Sequence, residues 1–202
     1  MVCFNLFDVQ RDSIGVREIS EVKRMDRVEE DREKHLISLA RTGDQIAFER
    51  LIQPYLTLLY RYITLHLPQS DVEDTLQESL LAMWQNLNSY GGQSAFKAWM
   101  MGVTRNKVND QHRRSYRTRN QPLEDAMHLD APGDLDQKLM LEQALAGLSH
   151  QEQELTYLVF TAGLTYNEVS ALTGTPLGTI KSKMHYIRFK LLKELEGEAH
   201  AR

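Results

Sequence analysis

Between Phe96 and Arg114 the chain reads FKAWMMGVTRNKVNDQHRR, setting aromatic rings, amides and a basic cluster along one predicted helix. Those residue types suit unpaired nucleic acid. Trp99 can stack on an exposed base, a contact worth roughly 1–3 kcal/mol, while Arg105, Lys107, Arg113 and Arg114 can follow a phosphate backbone. The same helix has an ordinary reading, because Phe96, Trp99, Met100 and Val103 recur at i, i+3, i+4 and i+7, the stripe of a buried face. Core is the default for those apolar residues, so the functional reading falls on the polar face.

A second candidate lies near the end. LTYNEVSALTGTPLGTIKSKMHYIRFKLL has the grammar of a helix-turn-helix. Thr165 and Glu168 form a capping box, Gly174 supplies a left-handed turn, and Thr175 with Pro176 makes an N-cap and first helical residue. The last helix buries Ile180, Met184, Ile187 and Leu191. Its other face shows Thr179, Lys181, Ser182, Lys183, His185, Tyr186 and Lys190, a composition that can read base edges and hold phosphates in a major groove. A helical hairpin with a solvated basic face is the plain alternative.

The charge pattern supports two nucleic-acid surfaces. The 202 residues carry a net charge of −4, with 42% hydrophobic and 26% charged residues, a soluble globular composition. Gly102 to Arg119 holds six Lys or Arg against one acid, Lys181 to Lys193 holds five against none, and Glu124 to Asp136 holds five acids. Two local basic surfaces on an acidic body are the expected electrostatic footprint. The lone Cys3 excludes an intrachain disulfide and fits a reducing cytoplasm. The opening MVCFNLFDVQRD lacks the features of a signal peptide, and no segment approaches a membrane span. P-loop, HExxH, Cys and His clusters and helical ExxH pairs are all missing, so neither an enzyme nor a cofactor or metal site is expected.

These segments need positioning elements, and the periodicity predicts an all-α chain. Residues 1–30 read as a mobile tail or weak helix, with Met25 as an alternative start. From Asp31 to Leu67 the pattern is helical, broken at Gly43, restarted by Asp44 as N-cap, bent at Pro54 and ended at Pro68. Ser70 and Glu73 form a capping box for the next helix, which buries Val72, Leu76, Leu80, Met83 and Leu87. Its opposite face, Asp71, Asp74, Gln77 and Glu78, is either solvated or a docking surface for a basic partner. NSYGGQS makes a turn, and Ser94 can cap the helix from Phe96. Residues 115–137 are a linker by composition, reaching roughly 76–83 Å when taut but averaging about 24–29 Å when flexible. Residues 138–195 return to helices, one of them capped by Ser149 and Glu152, and 196–202 form a tail.

At these residues the chain resembles bacterial RNA polymerase sigma factors of the extracytoplasmic-function (ECF) type. GDQIAFERLIQPY looks like the opening of sigma region 2, DVEDTLQESLLAMW like its polymerase-docking helix, SAFKAWMMGVTRNKVNDQHRR like its melting and −10 segment, and LTYNEVSALTGTPLGTIKSK like the region 4 helix-turn-helix. The resemblance implies two small helical domains joined by a flexible linker: region 2 over residues 31–114 and region 4 over 138–195. It assigns Asp71, Asp74, Gln77 and Glu78 to core polymerase. Ser89, Tyr90, Gln93, Ser94, Trp99, Arg105, Asn106, Lys107, Asp110, Arg113 and Arg114 go to the −10 element and melting. Thr165, Thr179, Lys181, Ser182, Lys183, His185, Tyr186 and Lys190 go to the −35 element.

The implied partners are core polymerase and promoter DNA, duplex at −35 and single-stranded at −10, in a family that anti-sigma proteins sequester. The two promoter elements lie roughly 17 base pairs apart, about 58 Å at 3.4 Å per step. Two departures stand out. The family usually has Leu-Pro and a nearby Arg where this chain has Leu148, Ser149 and Glu154, and Tyr186 occupies a position that is often small or basic. A one-component helix-turn-helix regulator with a sensing or dimerising front half also explains the rear segment. It does not explain an acidic face beside an aromatic and basic helix.

Overall fold

The computed structural model describes residues 16–118 and 145–199, with side chains over 28–115 and 145–193. Among the described residues every regular element is helical: α1 (Val16–Arg41), α2 (Gln45–Ile52), α3 (Leu56–His66), α4 (Gln69–Asn86), α5 (Phe96–Thr118), α6 (His150–Thr156), α7 (Tyr166–Thr173) and α8 (Leu177–Ala199). A 3-10 turn precedes α3 at Pro54, another follows α4, and a π turn (Tyr157–Thr161) extends α6. The chain groups into two compact units, one up to Gln53 and one from Pro54.

In the first unit α1 begins at Val16, upstream of the helical pattern expected from Asp31. Gly43 breaks it at φ 95, a conformation that costs glycine no Cβ clash. Asp44 then caps α2 by accepting from the Ala47 amide at 3.0 Å. Ile37, Ala40, Ala47, Leu51 and Ile52 are buried.

In the second unit α4 packs against both α3 and α5. Its buried stripe is Val72, Thr75, Ser79 and Met83, whereas Leu76 and Leu80, expected inside, are half-buried. The stripe is set by side-chain size. Small hydroxyl residues suit closely packed helices and satisfy themselves: Ser79 Oγ donates to the Thr75 carbonyl at 2.7 Å and, on α5, Thr104 Oγ1 to that of Met100 at 3.0 Å. The expected Ser70 capping box is also absent. Pro68 sits at the N-cap in extended backbone, α4 starts at Gln69, and the Ser70 hydroxyl, already inside the helix, turns to Asp71. Similarly, α5 opens at Phe96 with the Ala95 carbonyl accepting from the Trp99 amide, so Ala95 rather than Ser94 takes the N-cap position. Phe96, Met100, Met101, Thr104 and Val108 are its buried face, so Trp99 and Val103 are only partly covered.

The rear helices follow their local signals closely. Both capping boxes form, Ser149 with Glu152 and Thr165 with Glu168, and Gly174 takes φ 69. Pro176, one position later than expected, supplies the carbonyl that starts α8 by accepting from Ile180. Leu155, Leu158, Val169, Ile180, Met184 and Ile187 are buried, while Leu191 is half-buried. The expected linker lies mostly outside the described residues, as does most of the first expected rear helix.

Within this second unit the front helices α3–α5 and the rear helices α6–α8 meet through polar groups and through the buried rings of Tyr62 and Tyr157, 5.8 Å apart. The Tyr62 hydroxyl donates to Glu154 Oε1 at 2.8 Å, and Arg105 Nε donates to the same oxygen at 3.0 Å. Tyr157 donates to the Leu58 carbonyl at 2.6 Å. The rings of Tyr62 and His66 lie 4.5 Å apart, and those of His66 and His150 4.7 Å. Burial raises the Tyr62 and Tyr157 hydroxyl pKa values, keeping both as donors. It also works against charge on Glu154, but the Tyr62 hydroxyl and the Arg105 guanidinium, joined by His66 only when that imidazole is protonated, lower that carboxyl.

Burial pushes His66 down to about 3; Glu154 opposes this, while His150, His112 and Arg105 reinforce it. Its Nε2 is buried with no hydrogen-bond partner among the described residues. The unfolded chain protonates this imidazole below its ordinary value of 6.5 while the folded chain keeps it neutral, so the unfolded state gains protons as pH falls. Stability is therefore full above that value and drops by about 2 kcal/mol by pH 5. Melting temperatures across this range should fall for the wild type and fall less for His66→Phe; equal slopes would refute the assignment. At Gly174 an added Cβ meets nothing within 4 Å, so Gly174→Ala should cost only the left-handed backbone penalty, about 1 kcal/mol in urea denaturation.

Candidate nucleic-acid interface

The segment from Ser89 to Ser94 is a short loop over an aromatic floor. Tyr90 closes it by donating to the Ser94 carbonyl at 2.7 Å, and Ser89 Oγ donates to the Asn86 carbonyl at 2.7 Å. Gly92 turns the chain at φ 72. Beneath the loop, Phe96 lies 5.3 Å from the Tyr90 ring and 5.5 Å from Trp99, the latter nearly stacked at 26°. Tyr90 and Trp99 are 5.5 Å apart, and Tyr55 meets Phe96 edge-on. Phe96 is fully buried, Tyr90 and Trp99 are partly open, and Ser89, Gln93 and Ser94 are exposed. A polar rim around a partly open aromatic surface can hold a base by stacking and amide hydrogen bonds.

Further along α5 the predicted basic stripe divides, because successive helical residues point about 100° apart. Arg105 turns to the rear module, bonding Glu154 and approaching the Leu172 carbonyl at 3.5 Å. Lys107, Gln111 and Arg114, at i, i+4 and i+7, turn to α4. There Lys107 lies 3.9 Å from Glu78, Gln111 donates to Asp71 at 2.9 Å, and Arg114 grips both Glu78 oxygens at 2.7 and 3.2 Å. The Arg114 hydrogen bonds lead the forces that lower the Glu78 carboxyl; burial opposes them and Lys107 assists. Asn106, Asp110 and Arg113 share another face, with Arg113 bonded to Asp110 at 3.2 Å.

The expected acidic surface divides in the same manner. Asp71 and Glu78 are turned to α5, whereas Asp74 and Gln77 are exposed. Periodicity alone does not reveal this division, since all four positions lie on the polar side of α4.

In the helix-turn-helix, α7 and α8 pack through Val169, Ile180 and Met184, which are buried. Thr179, Lys181, Ser182, His185 and Tyr186 are exposed along the outer side of α8. Thr165 is committed to its capping box through Glu168 at 2.7 Å. Lys183 and Lys190, expected on the outer side, are seven residues apart and turn together to the start of α6 instead. Lys183 donates to Gln151; Lys190 donates to the Gly147 carbonyl and lies 3.8 Å from Glu152. Burial raises the Glu152 carboxyl pKa, but the Ser149 backbone and hydroxyl outweigh it with help from both lysines.

Three residues beyond the predicted set shape this surface. Arg188 donates to the Tyr166 hydroxyl at 3.1 Å and lies over the Phe160 ring, tying α8 to the preceding turns. Glu154 and Tyr62 meet across 92 positions. Glu154 is conspicuous in the sequence as a departure from the family pattern, whereas nothing local distinguishes Tyr62.

Comparison with known proteins converges on the same two modules. The family model described as Sigma-70 region 2 matches residues 51–118, and that described as Sigma-70, region 4 matches 144–193. The chain is 28% identical over 170 residues to RNA polymerase sigma factor NccH of Alcaligenes xylosoxydans xylosoxydans, covering 78% of this chain and 91% of that protein. It is 36% identical over 118 residues to ECF RNA polymerase sigma factor SigF of Caulobacter vibrioides, covering 57% and 65%. Among solved structures it is similar to the sigma factor RpoE in complex with the anti-sigma factor NepR from Bartonella quintana. That match has a TM-score of 0.57 at 29% identity, and it covers 73% of this chain and 98% of the other. With both matched regions in order, spanning more than half of its residues between them, the chain belongs to the ECF branch of the sigma-70 family.

Proposed function

We propose that this sigma factor docks on core RNA polymerase through the acidic side of α4, reads and melts the −10 element with the 89–94 loop and α5, and reads the −35 element with α8. Exposed Asp74 and Gln77 make the first contact, with Asp71 and Glu78 behind them. The open aromatic surface of Tyr90 and Trp99, rimmed by Ser89, Gln93 and Ser94, carries the melting assignment. A flipped base costs a few kcal/mol to extract, and stacking on such a surface offsets it. Asn106, Asp110 and Arg113 extend that surface along α5, while Thr179, Lys181, Ser182, His185 and Tyr186 face the −35 groove. Initiation on this reading is non-covalent and cytoplasmic. No helix among the described residues is long and apolar enough to cross a membrane. An anti-sigma protein, the partner named for the similar RpoE structure, is a further expected partner.

Adding the protein to core polymerase should produce transcripts from promoters that core alone ignores. A regulator that binds duplex DNA unaided but does not start RNA synthesis with core would overturn this reading. In the holoenzyme, Lys181→Ala should lower the salt slope of promoter binding by about one unit, the signature of one lost phosphate contact; an unchanged slope removes Lys181 from the backbone. Asp74→Lys together with Gln77→Lys should abolish co-elution with core while leaving the circular-dichroism spectrum intact. Retained co-elution would place docking elsewhere.

A further inference from the structure

We propose that the outer side of α8, past the residues assigned to the −35 element, is a docking surface for one amphipathic helix of a protein partner, apolar along its seam and acidic on its flanks. This surface goes beyond the promoter-reading role proposed for the same helix. Tyr186, Phe189 and Leu192 are 54%, 61% and 54% exposed. Phe189 stands nine residues from buried Ile180 and so, at about 100° a residue, points directly away from the buried side of α8. Tyr186 and Leu192 flank it three residues to either side. On no other helix among the described residues do three large apolar side chains stand exposed in one row. Single exposed apolar residues are ordinary, whereas a contiguous row marks a site of interaction.

Shape and charge select the occupant. The spacing i, i+3 and i+6 makes a ridge about 9 Å long, the form that lies in the groove between i±4n rows of a second helix crossing at about 20°. A bilayer binds in proportion to buried apolar area, and three side chains offer it little. From Leu177 to Lys193 the helix carries no acid, and Arg188 and Lys193 are exposed on the two sides of the ridge. Arg188 keeps its charge while bonding the Tyr166 hydroxyl. Carboxylates on both flanks of a partner helix meet these cations, whereas a second copy of α8 brings cation against cation. DNA is a poor occupant. Phe189 and Leu192 lie about 10 and 15 Å further along the axis than Ser182, past the early residues through which such a helix reads base edges, and neither can hydrogen-bond one.

The test uses the full chain as bait for a displayed pool of helical peptides of about five turns, with Leu or Met along one seam and Glu, Gln or Lys varied on both flanks. Selection should favour Glu over Lys on the flanks about tenfold. The best members should bind Phe189→Ser and Leu192→Ser about tenfold more weakly, since each forfeits the burial of one apolar side chain. Lys193→Glu should weaken them about two- to fivefold. All three positions are exposed, so circular dichroism should stay unchanged and certify folding. No enrichment, flanks without a preference for Glu, or undiminished binding by both serine variants overturns the docking surface. Sedimentation of the chain alone and flotation with phosphatidylglycerol vesicles decide the other occupants. A dimer or a vesicle-bound fraction that disappears in Phe189→Ser gives the ridge to a second copy or to lipid, and equally defeats the proposal.

Discussion

A carboxylate removed from water is tolerable only where enough donors replace its hydration, since the penalty for a buried ion is several kcal/mol. Glu154 meets that condition with one hydroxyl from α3 and one guanidinium from α5. Those donors belong to the front helices and their acceptor to the rear ones, so satisfying this one carboxylate ties α3 and α5 to α6. Around it lie the buried hydroxyls of Tyr62 and Tyr157, each of which finds an acceptor there. The junction thus combines paired polar groups with buried tyrosine rings, whose removal from water is favourable.

The same logic operates at smaller scale on the basic helix. Arg114 and Lys107 on α5 lie against Glu78 on α4, and Gln111 lies against Asp71. These contacts tie the helix proposed for DNA to the helix proposed for polymerase. One acidic face therefore has two uses, steadying α5 from behind and offering Asp74 and Gln77 outward. In the rear module Lys183 and Lys190 make the equivalent commitment to the start of α6. The outward cations that remain are fewer than composition suggests, so the face of α8 proposed for the −35 element presents polar residues such as Ser182 and His185 beside Lys181.

Local signals were legible because they act over three or four residues. The boxes at Ser149 and Thr165 and the left-handed Gly174 emerge as their spacing requires. The loop from Ser89 to Ser94 lies where paired glycines announce it. Where local reading erred, packing was the cause. Thr75 and Ser79 displace Leu76 and Leu80 from the inner stripe because small hydroxyl residues permit close helix approach and bond their own backbone. Pro68 moves the start of α4 one residue ahead of Ser70.

By itself, then, the order of residues determined the helices, their caps, the two basic segments and the family pattern, all properties of neighbours along the chain. Only tertiary structure decided where each cation points. A helix turns about 100° per residue, so Arg105, Asn106 and Lys107, adjacent in sequence, face Glu154, solvent and Glu78 respectively. The pairing of Tyr62 with Glu154 across 92 positions carries no periodic signal, because it depends on how distant helices pack together.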